Sequence, residues 1–481
     1  MMGLLFKRVQ DQNQNVRPLQ STINSVAPTE NWMGIYTGDP DQGGGRIGFF
    51  HTRTQPVTVD GEKGADYYLT LKFNASVLDI PSDMSMKGKT TILEDSGLQG
   101  FDFKVGSESG HLMEASGEVQ GSSMKVNITT AGETFPMDIP VDNGLFLSGG
   151  LGTTQLNLPA LELGESITVP AFDPLTFSYS QTATIECVGE EQFYFDGEVI
   201  PAKVLTTTVG GIPTNVWVSY TEEILKIETP FGFWVQKITQ EEALRALDTT
   251  GTTDVLDSVA IRPTGLKPFR GAETMTIRIS GLNRNISLPE TALQQLIEPD
   301  VYRIQQGSIS NDDEPPLNEA DKTYFLRSDP FIQTASPAIK AFSKQIFGEN
   351  TNRWKQAELL RDWTFENIDK TIVLTFPSAL DVLQSREGDC NEHTVLYTAL
   401  ARSAGIPTQI AIGIVWSDDL GGFYYHAWPE VFVGKWMPLE PTLGQDVADA
   451  THIKFLSGSI EQWPKLAAYI GQIQIEILEI E

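Results

Sequence analysis

The sequence predicts a multidomain protein in which a β-rich antiparallel N-terminal region precedes an α+β domain. The chain has 481 residues, which is too long for one ordinary hydrophobic core. Apolar residues recur every second position in many segments before about residue 265. After about residue 330 they recur every three or four positions, which indicates helices mixed with strands.

The N-terminal half carries the signals of an antiparallel sheet. Residues 1–30 are polar and aperiodic, and we expect a tail or lead-in there. Within 31–265, segments such as 66–76 and 124–130 alternate apolar with polar residues between turn-forming breaks. We expect a sandwich or a strongly curved sheet. The stretch LSGGLGTTQ near residue 150 leaves open a division into two sub-domains.

Residues 266–330 read as one strand followed by an acidic linker. The strand is TMTIRIS at 274–280, which alternates along its length. The segment GSISNDDEPPLNEADK at 307–322 is polar and acidic and contains two consecutive prolines. This composition favours a linker or an exposed loop.

Residues 331–481 are expected to form the α+β domain. A first helix is bounded by a serine N-cap at Ser336 and by Gly348, and a second is predicted at 352–368. A third begins near Ser378, and a fourth begins at or next to Cys390. Strands and helices alternate after that point.

The charge of the chain limits its partners. Sixty-three acidic residues against 34 basic ones give a net charge of −29, so a nucleic acid or an anionic membrane surface would be repelled. No run approaches the roughly 20 apolar residues of a membrane-spanning helix. The start MMGLLFKR is too short for a signal peptide. The compartment stays open, including an extracytoplasmic one if the N-terminus is incomplete.

The two cysteines are expected to be free thiols. Cys187 lies in a strand-like run and is expected to be core. Cys390, in REGDCNEH, is compatible with a small core residue, half of a disulfide, a metal ligand or a nucleophile. A helix N-terminus favours a thiolate and a developing oxyanion, whereas the acidic residues Asp389 and Glu392 oppose the thiolate.

Two later segments supply partners for a nucleophile. His426 lies in the strand-like run GFYYHAWPEVFVGKW, and Glu440 follows fourteen residues later in LEPT. A cysteine on a helix, a histidine on one strand and an acid on the next would form a nucleophile, base and orienting acid. For His452 a place lining the cleft stays open, but we expect packing; for His393 we expect an ordinary place on the helix. With two cysteines in the chain, a C-x-x-H zinc site at Cys390 and His393 is not expected.

The segments GDCNEHTVLYTALARSAGIP, YYHAWPEVFVGKW and LEPT resemble the transglutaminase-like superfamily of papain-type cysteine enzymes over roughly residues 335–457. The resemblance implies Cys390 as nucleophile, His426 as base and residue 440 as the orienting acid, with no cofactor and no metal. It also suggests Trp363 as an aid to the oxyanion. The chain departs from the family at Glu440, where aspartate is usual, and by a proline at 429.

Two functions follow as expectations. The first is thiol-dependent acyl transfer on carboxamide or peptide bonds of a protein or peptide substrate, through a cysteine thioester. It covers a protease or amidase as well as protein-glutamine crosslinking. The alternative is a catalytically weakened scaffold in a binding or interaction protein. In either case the β-rich region is a candidate for docking a partner.

Overall fold

The computed structural model describes residues 28–77, 80–94, 96–107, 112–140, 146–147, 161–173, 178–209, 212–221, 223–229, 233–245, 260–281, 287–308, 315–371, 378–458 and 473–481. Its secondary structure separates a large sheet at the N-terminal side from a mixed helical and stranded part. The β-rich antiparallel region followed by an α+β domain is therefore confirmed.

The N-terminal part is one sheet of fifteen strands. They are β1 (Thr29–Thr37), β2 (Gly45–Val59), β3 (Glu62–Val77), β4 (Ile80–Leu93), β5 (Gly97–Gly106), β6 (Leu112–Gln120), β7 (Ser123–Thr130), β8 (Glu133–Pro140), β9 (Phe146–Leu147), β10 (Ser166–Asp173), β11 (Ser178–Phe195), β12 (Glu198–Val209), β13 (Ile212–Ser219), β14 (Ile224–Glu228) and β15 (Phe233–Lys237). Consecutive strands pair with each other except β8 and β9, which stand at the two ends of the strand order. The pairing of β1 with β15 joins the two halves. A short helix, α1 (Gln240–Leu244), follows.

Alternating side chains bury one face of this sheet. Along β7, the side chains of Met124, Val126 and Ile128 are fully buried while their neighbours face solvent, as the period-two pattern predicts. Buried residues from both halves of the sheet belong to one continuous core cluster. A sheet of more than about ten strands ordinarily curls. The residues around the predicted break near 150 lie outside the described ranges, but strands before and after it share the sheet.

The second sheet joins distant parts of the chain. Its strands are β16 (Thr264–Gly265), β17 (Thr274–Ser280), β18 (Gln294–Glu298), β19 (Val301–Gln305) and, from the C-terminus, β26 (Gln474–Ile480), in the order β16-β26-β17-β19-β18. The predicted strand 274–280 thus forms, and its partner comes from the end of the chain. Of the predicted linker 307–322, residues 309–314 lie outside the described ranges, and 319–322 belong to helix α2 (Glu319–Phe325) instead of a loop.

The remaining elements form the helical layer and a four-stranded sheet. The helices are α3 (Pro337–Phe347), α4 (Arg353–Asn367), α5 (Ala379–Ser385) and α6 (Cys390–Ser403). The strands are β20 (Asp369–Lys370), β21 (Glu387–Gly388), β22 (Thr408–Ser417), β23 (Gly422–Phe432), β24 (Trp436–Pro438) and β25 (Ile453–Ser457). The sheet order is β24-β23-β22-β25, and α6 packs against β23. All four predicted helices are present.

The large sheet contacts the helical layer through the end of its β7–β8 hairpin. The Thr130 hydroxyl donates to Asp381 in α5, and the Ser336 hydroxyl before α3 donates to Glu133 at 3.3 Å. Ser336 is the N-cap residue of α3 as predicted, but its hydroxyl is used for this contact rather than for capping. Among the described helices, none has the length and apolar character needed to cross a membrane.

Candidate active site

The chain enters the Cys390 helix through a tightly constrained turn. Helix α5 ends at Arg386 in the left-handed region, and Gly388 has φ 154°. A Cβ at Gly388 would lie 2.1 Å from the Glu392 side chain, so the position requires glycine. Asp389 is the N-cap of α6: its carboxylate accepts from Asn391 N–H at 2.8 Å, while its own N–H donates to Glu392 at 2.7 Å. This capping box fixes Cys390 as the first residue of the helix.

Strand β23 places a backbone donor on the cysteine. The Ala427 N–H donates to the Cys390 sulfur, and the Ala427 carbonyl accepts from the Thr394 hydroxyl at 3.0 Å. The N–H and the carbonyl of Ala427 therefore both face α6. They lie on a part of the β23 edge that does not pair with β24, because β24 pairs only with residues 430–432. His426 immediately precedes Ala427 in the same strand, so the fold brings the cysteine and this histidine segment together.

The electrostatic surroundings of Cys390 favour the neutral thiol. Burial, reinforced by the Asp389 carboxylate, raises the pKa of the Cys390 thiol well above its usual value, although the Ala427 N–H works in the opposite direction. Burial and the charge of Asp389 likewise raise the pKa of Glu392. Because the pKa of the thiol is raised, the resting thiol keeps its proton at neutral pH.

His426 and Glu440 form a buried pair. The His426 Nε2 lies 2.8 Å from Glu440 Oε2, and the Glu440 side chain is completely buried. The other oxygen, Oε1, accepts from the N–H groups of Thr442 at 2.8 Å and Leu443 at 3.0 Å. Burial alone would raise the pKa of Glu440, but the charge and hydrogen bonds of the two neighbouring histidines lower it well below its usual range. Glu440 lies two residues after β24 rather than inside a strand.

His452, for which packing was expected, contacts the same carboxylate. Its Nε2 lies 2.9 Å from Glu440 Oε2, and its Nδ1 lies 3.2 Å from Asp449 Oδ1. One oxygen of Glu440 therefore bridges two imidazoles. The i,i+3 spacing of Asp449 and His452 was visible in the sequence, but nothing local indicated that their turn approaches Glu440.

Trp363, His393 and Cys187 make contacts outside the hydrogen-bonded group of His426, Glu440 and His452. The Trp363 ring packs 4.8 Å from Phe342 and 4.4 Å from the Arg386 guanidinium, so its oxyanion role stays a prediction. His393 is a buried helix residue whose Nδ1 lies 2.7 Å from the Asp389 carbonyl, as an ordinary helix position would give. Cys187 is buried in β11, and both cysteines are free.

Three ligand-type atoms lie close enough together to raise the question of a metal. Within the part of the chain that the structure describes, atoms of His426, Glu440 and His452 lie within 4.8 Å of one another. Hydrogen bonds between Glu440 and each imidazole already use these atoms. Metal binding would require both protons to leave. We therefore treat the group as a hydrogen-bonded network and not as a metal site.

The family comparison agrees with this location. Residues 340–441 match the model of the transglutaminase-like superfamily, a range that contains Cys390, His426 and Glu440. A stretch of 153 residues, 30% of this chain, is 27% identical to an uncharacterized protein of Haemophilus influenzae (strain ATCC 51907 / DSM 11121 / KW20 / Rd). The match spans only 40% of the length of that curated relative.

Solved structures resemble the chain weakly. A provisionally assigned cysteine protease from Cytophaga hutchinsonii has a TM-score of 0.29 and 15% identity, with 46% of this chain and 86% of that chain covered. A beta-barrel-like protein of a domain of unknown function from Brucella abortus has a TM-score of 0.27 and 10% identity, with 44% and 94% covered. The assignment of the domain rests on the family match over 340–441.

Proposed function

We propose that this chain, which carries a transglutaminase-like domain at residues 340–441, is a thiol-dependent acyl-transfer enzyme acting on carboxamide or peptide bonds. One observation carries the proposal. The sulfur of Cys390, at the first position of a helix, accepts the Ala427 N–H beside His426, whose imidazole is bonded to the buried Glu440 carboxylate. This arrangement supports the roles of nucleophile for Cys390, base for His426 and orienting acid for Glu440.

In the proposed acylation step, Cys390, His426 and Glu440 each have one role. Glu440 holds Nε2 of His426, which leaves Nδ1 to take the thiol proton as the sulfur attacks the carbonyl carbon. The carbonyl oxygen becomes an oxyanion, and the backbone N–H of Cys390, which has no acceptor within its own helix because it lies in the first turn, is suited to receive it. When the C–N bond breaks, the imidazolium returns its proton to the leaving amine, and a thioester on Cys390 is left. Charge and protons balance within the site.

Deacylation decides the product. If water attacks the thioester, the enzyme is a protease or amidase; if a primary amine attacks, the product is a new amide and the enzyme crosslinks. His426 serves as base in both cases. Protein and peptide substrates, and a docking role for the β-rich region, are part of the proposal.

A second candidate is a catalytically weakened scaffold in a binding protein. The observation that favours it is the environment of Cys390, since burial and the Asp389 charge both disfavour the thiolate. We rank it second because the buried His426–Glu440 pair provides a base for the thiol proton.

Product analysis tests the proposal. The full chain is incubated with a peptide library containing glutamine, with and without a primary amine, and the products are followed by mass spectrometry. We expect cleavage, ammonia release or amine incorporation that disappears in Cys390→Ala and persists in Cys187→Ala. Products of equal yield from Cys390→Ala, or no reaction of the folded wild-type chain, would instead favour the scaffold.

A further inference from the structure

His452 contacts the same Glu440 carboxylate oxygen as His426, and the centroids of the two imidazole rings lie 5.6 Å apart. Its side chain is 3% exposed and both of its ring nitrogens face acceptors. Nε2 lies 2.9 Å from Glu440 Oε2, while Nδ1 lies 3.2 Å from both the carboxylate and the carbonyl oxygen of Asp449. A neutral imidazole has a single N–H and can donate a hydrogen bond to Glu440 or to Asp449, but not to both. An imidazolium has two N–H groups and can donate to both carboxylates.

Asp449 is itself fixed by the fold. Its Oδ1 accepts from the Thr451 N–H at 2.9 Å and from the Thr451 hydroxyl, and its Oδ2 accepts from the Gly271 N–H at 2.7 Å and from the Gln445 amide. Gly271 belongs to the segment before β17, so the second sheet anchors this end of the network. Asp449 cannot turn away from His452 without giving up these bonds.

Glutamate at 440 needs a second constraint. It carries one methylene more than aspartate and so has one more rotatable bond to restrict. Backbone N–H groups of Thr442 and Leu443 donate to its Oε1. His452 contacts Oε2, the oxygen that also contacts His426. The carboxylate is thereby held on both oxygens.

We propose that His452, oriented by Asp449, is a positioning residue that fixes the Glu440 carboxylate for His426. This inference rests on the proposed function and adds to it a fourth and a fifth member of the hydrogen-bonded chain. It also explains how a glutamate serves at this position.

The charged groups around His452 agree with a cationic ring. Burial alone would lower the pKa of His452, but the bonds to Asp449 and Glu440 outweigh it and raise the pKa to about 9. The His426 and Trp428 rings pack against it at 5.6 and 5.1 Å. A cavity of about 280 Å³ beside it is also lined by Glu290, Glu430 and Lys454, of which the last two pair with each other at 2.6 Å.

Three variants separate positioning from folding. His452→Gln keeps a neutral donor toward Glu440, and His452→Ala removes it. We expect His452→Ala to lower the acylation rate by roughly 10- to 100-fold with little change in KM, because one charge-assisted hydrogen bond to the orienting carboxylate is lost. His452→Gln should recover part of that rate. Asp449→Asn should move the alkaline limb of the pH profile down by about one unit or more. His51→Gln, in the His51–Glu30 pair of the β-rich region, is the matched control.

The rate measurement uses p-nitrophenyl acetate as the acylating probe, and NMR of ¹⁵N-labelled histidines in the full chain provides a readout that needs no turnover. We expect the His452 signal, assigned through His452→Gln, to stay protonated up to pH 8. Titration of His452 near pH 6.5 would overturn the inference. So would an unchanged pH profile in His452→Ala, or stoichiometric zinc that is lost in that variant. Failure of the proposed function shows differently, as a Cys390→Ala variant that reacts like wild type.

Discussion

Shortening Glu440 to the aspartate that is usual in the transglutaminase-like superfamily should slow the proposed acylation. In the native chain Oε2 lies 2.8 Å from His426 Nε2 and 2.9 Å from His452 Nε2. Glu440→Asp withdraws the carboxylate by one C–C bond, about 1.5 Å. With the backbone in place both separations approach about 4 Å, which is beyond hydrogen-bonding distance. A small shift of the backbone can bring the shorter side chain back to one histidine but not to both.

The expected magnitude follows from one lost charge-assisted bond. Such a bond is worth about 1.5–3 kcal/mol. If it is made in the transition state, acylation slows about 10- to 150-fold. The assay is the stopped-flow burst of nitrophenolate from p-nitrophenyl acetate with the full chain, combined with thermal unfolding to confirm the fold. Glu30→Asp shortens the carboxylate of the separate His51–Glu30 pair, 2.8 Å apart, and should leave the burst unchanged.

A Glu440→Asp variant that acylates as fast as wild type would refute this reasoning, because the extra methylene would then have no role in reaching two histidines. A decrease in the acylation rate no larger than that of Glu30→Asp would refute it as well. If the rate falls only partly and the melting temperature also falls, unfolding could explain the loss. Measuring the burst at a temperature below the unfolding transition of both variants distinguishes unfolding from a catalytic effect.

Further predictions concern charge and protonation. Glu440→Gln should lower the acylation rate by roughly 10³- to 10⁴-fold, as loss of the orienting charge does in related triads, and a loss below tenfold would speak against that role. Because the pKa of the Cys390 thiol is raised, iodoacetamide should label it more slowly than a model thiol at pH 7 and faster as the pH rises beyond 9; a rate already maximal at pH 7 contradicts this. The folded pKa of His452, about 9, exceeds its unfolded value of about 6.5, so its stabilisation is fully present below pH 6.5 and is lost as the pH rises through 9. The unfolding free energy from urea titration should fall by about 3 kcal/mol over that interval, and His452→Gln should lack most of the change.

Local patterns predicted the secondary-structure elements and the start of a helix at Cys390. Alternation along 124–130 gave a strand with one buried face because side chains in a strand point to opposite sides. Ser336 and Gly348 predicted the two ends of helix α3 to within one residue. The start of α6 at Cys390 followed from the helical spacing after it and from Gly388 before it.

Contacts between segments that are distant along the chain could not be predicted from the sequence. Strand β17 pairs with β26 across nearly the whole C-terminal half of the chain, and neither strand carries a signal for the other. The approach of His452 to Glu440 likewise depends on how the turn at Asp449 packs against Gly271. Such contacts are set by tertiary packing, whereas propensity and periodicity describe only neighbours along the chain.

The most direct test of a thioester on Cys390 is to trap it. The full chain is mixed with the reactive peptide found by product analysis, quenched in acid and digested, and the peptide containing Cys390 is weighed by mass spectrometry. The proposed mechanism predicts an acyl adduct on Cys390 that hydroxylamine removes and that Cys390→Ala does not form. Product formation without any adduct at Cys390, and undiminished in Cys390→Ala, would contradict it.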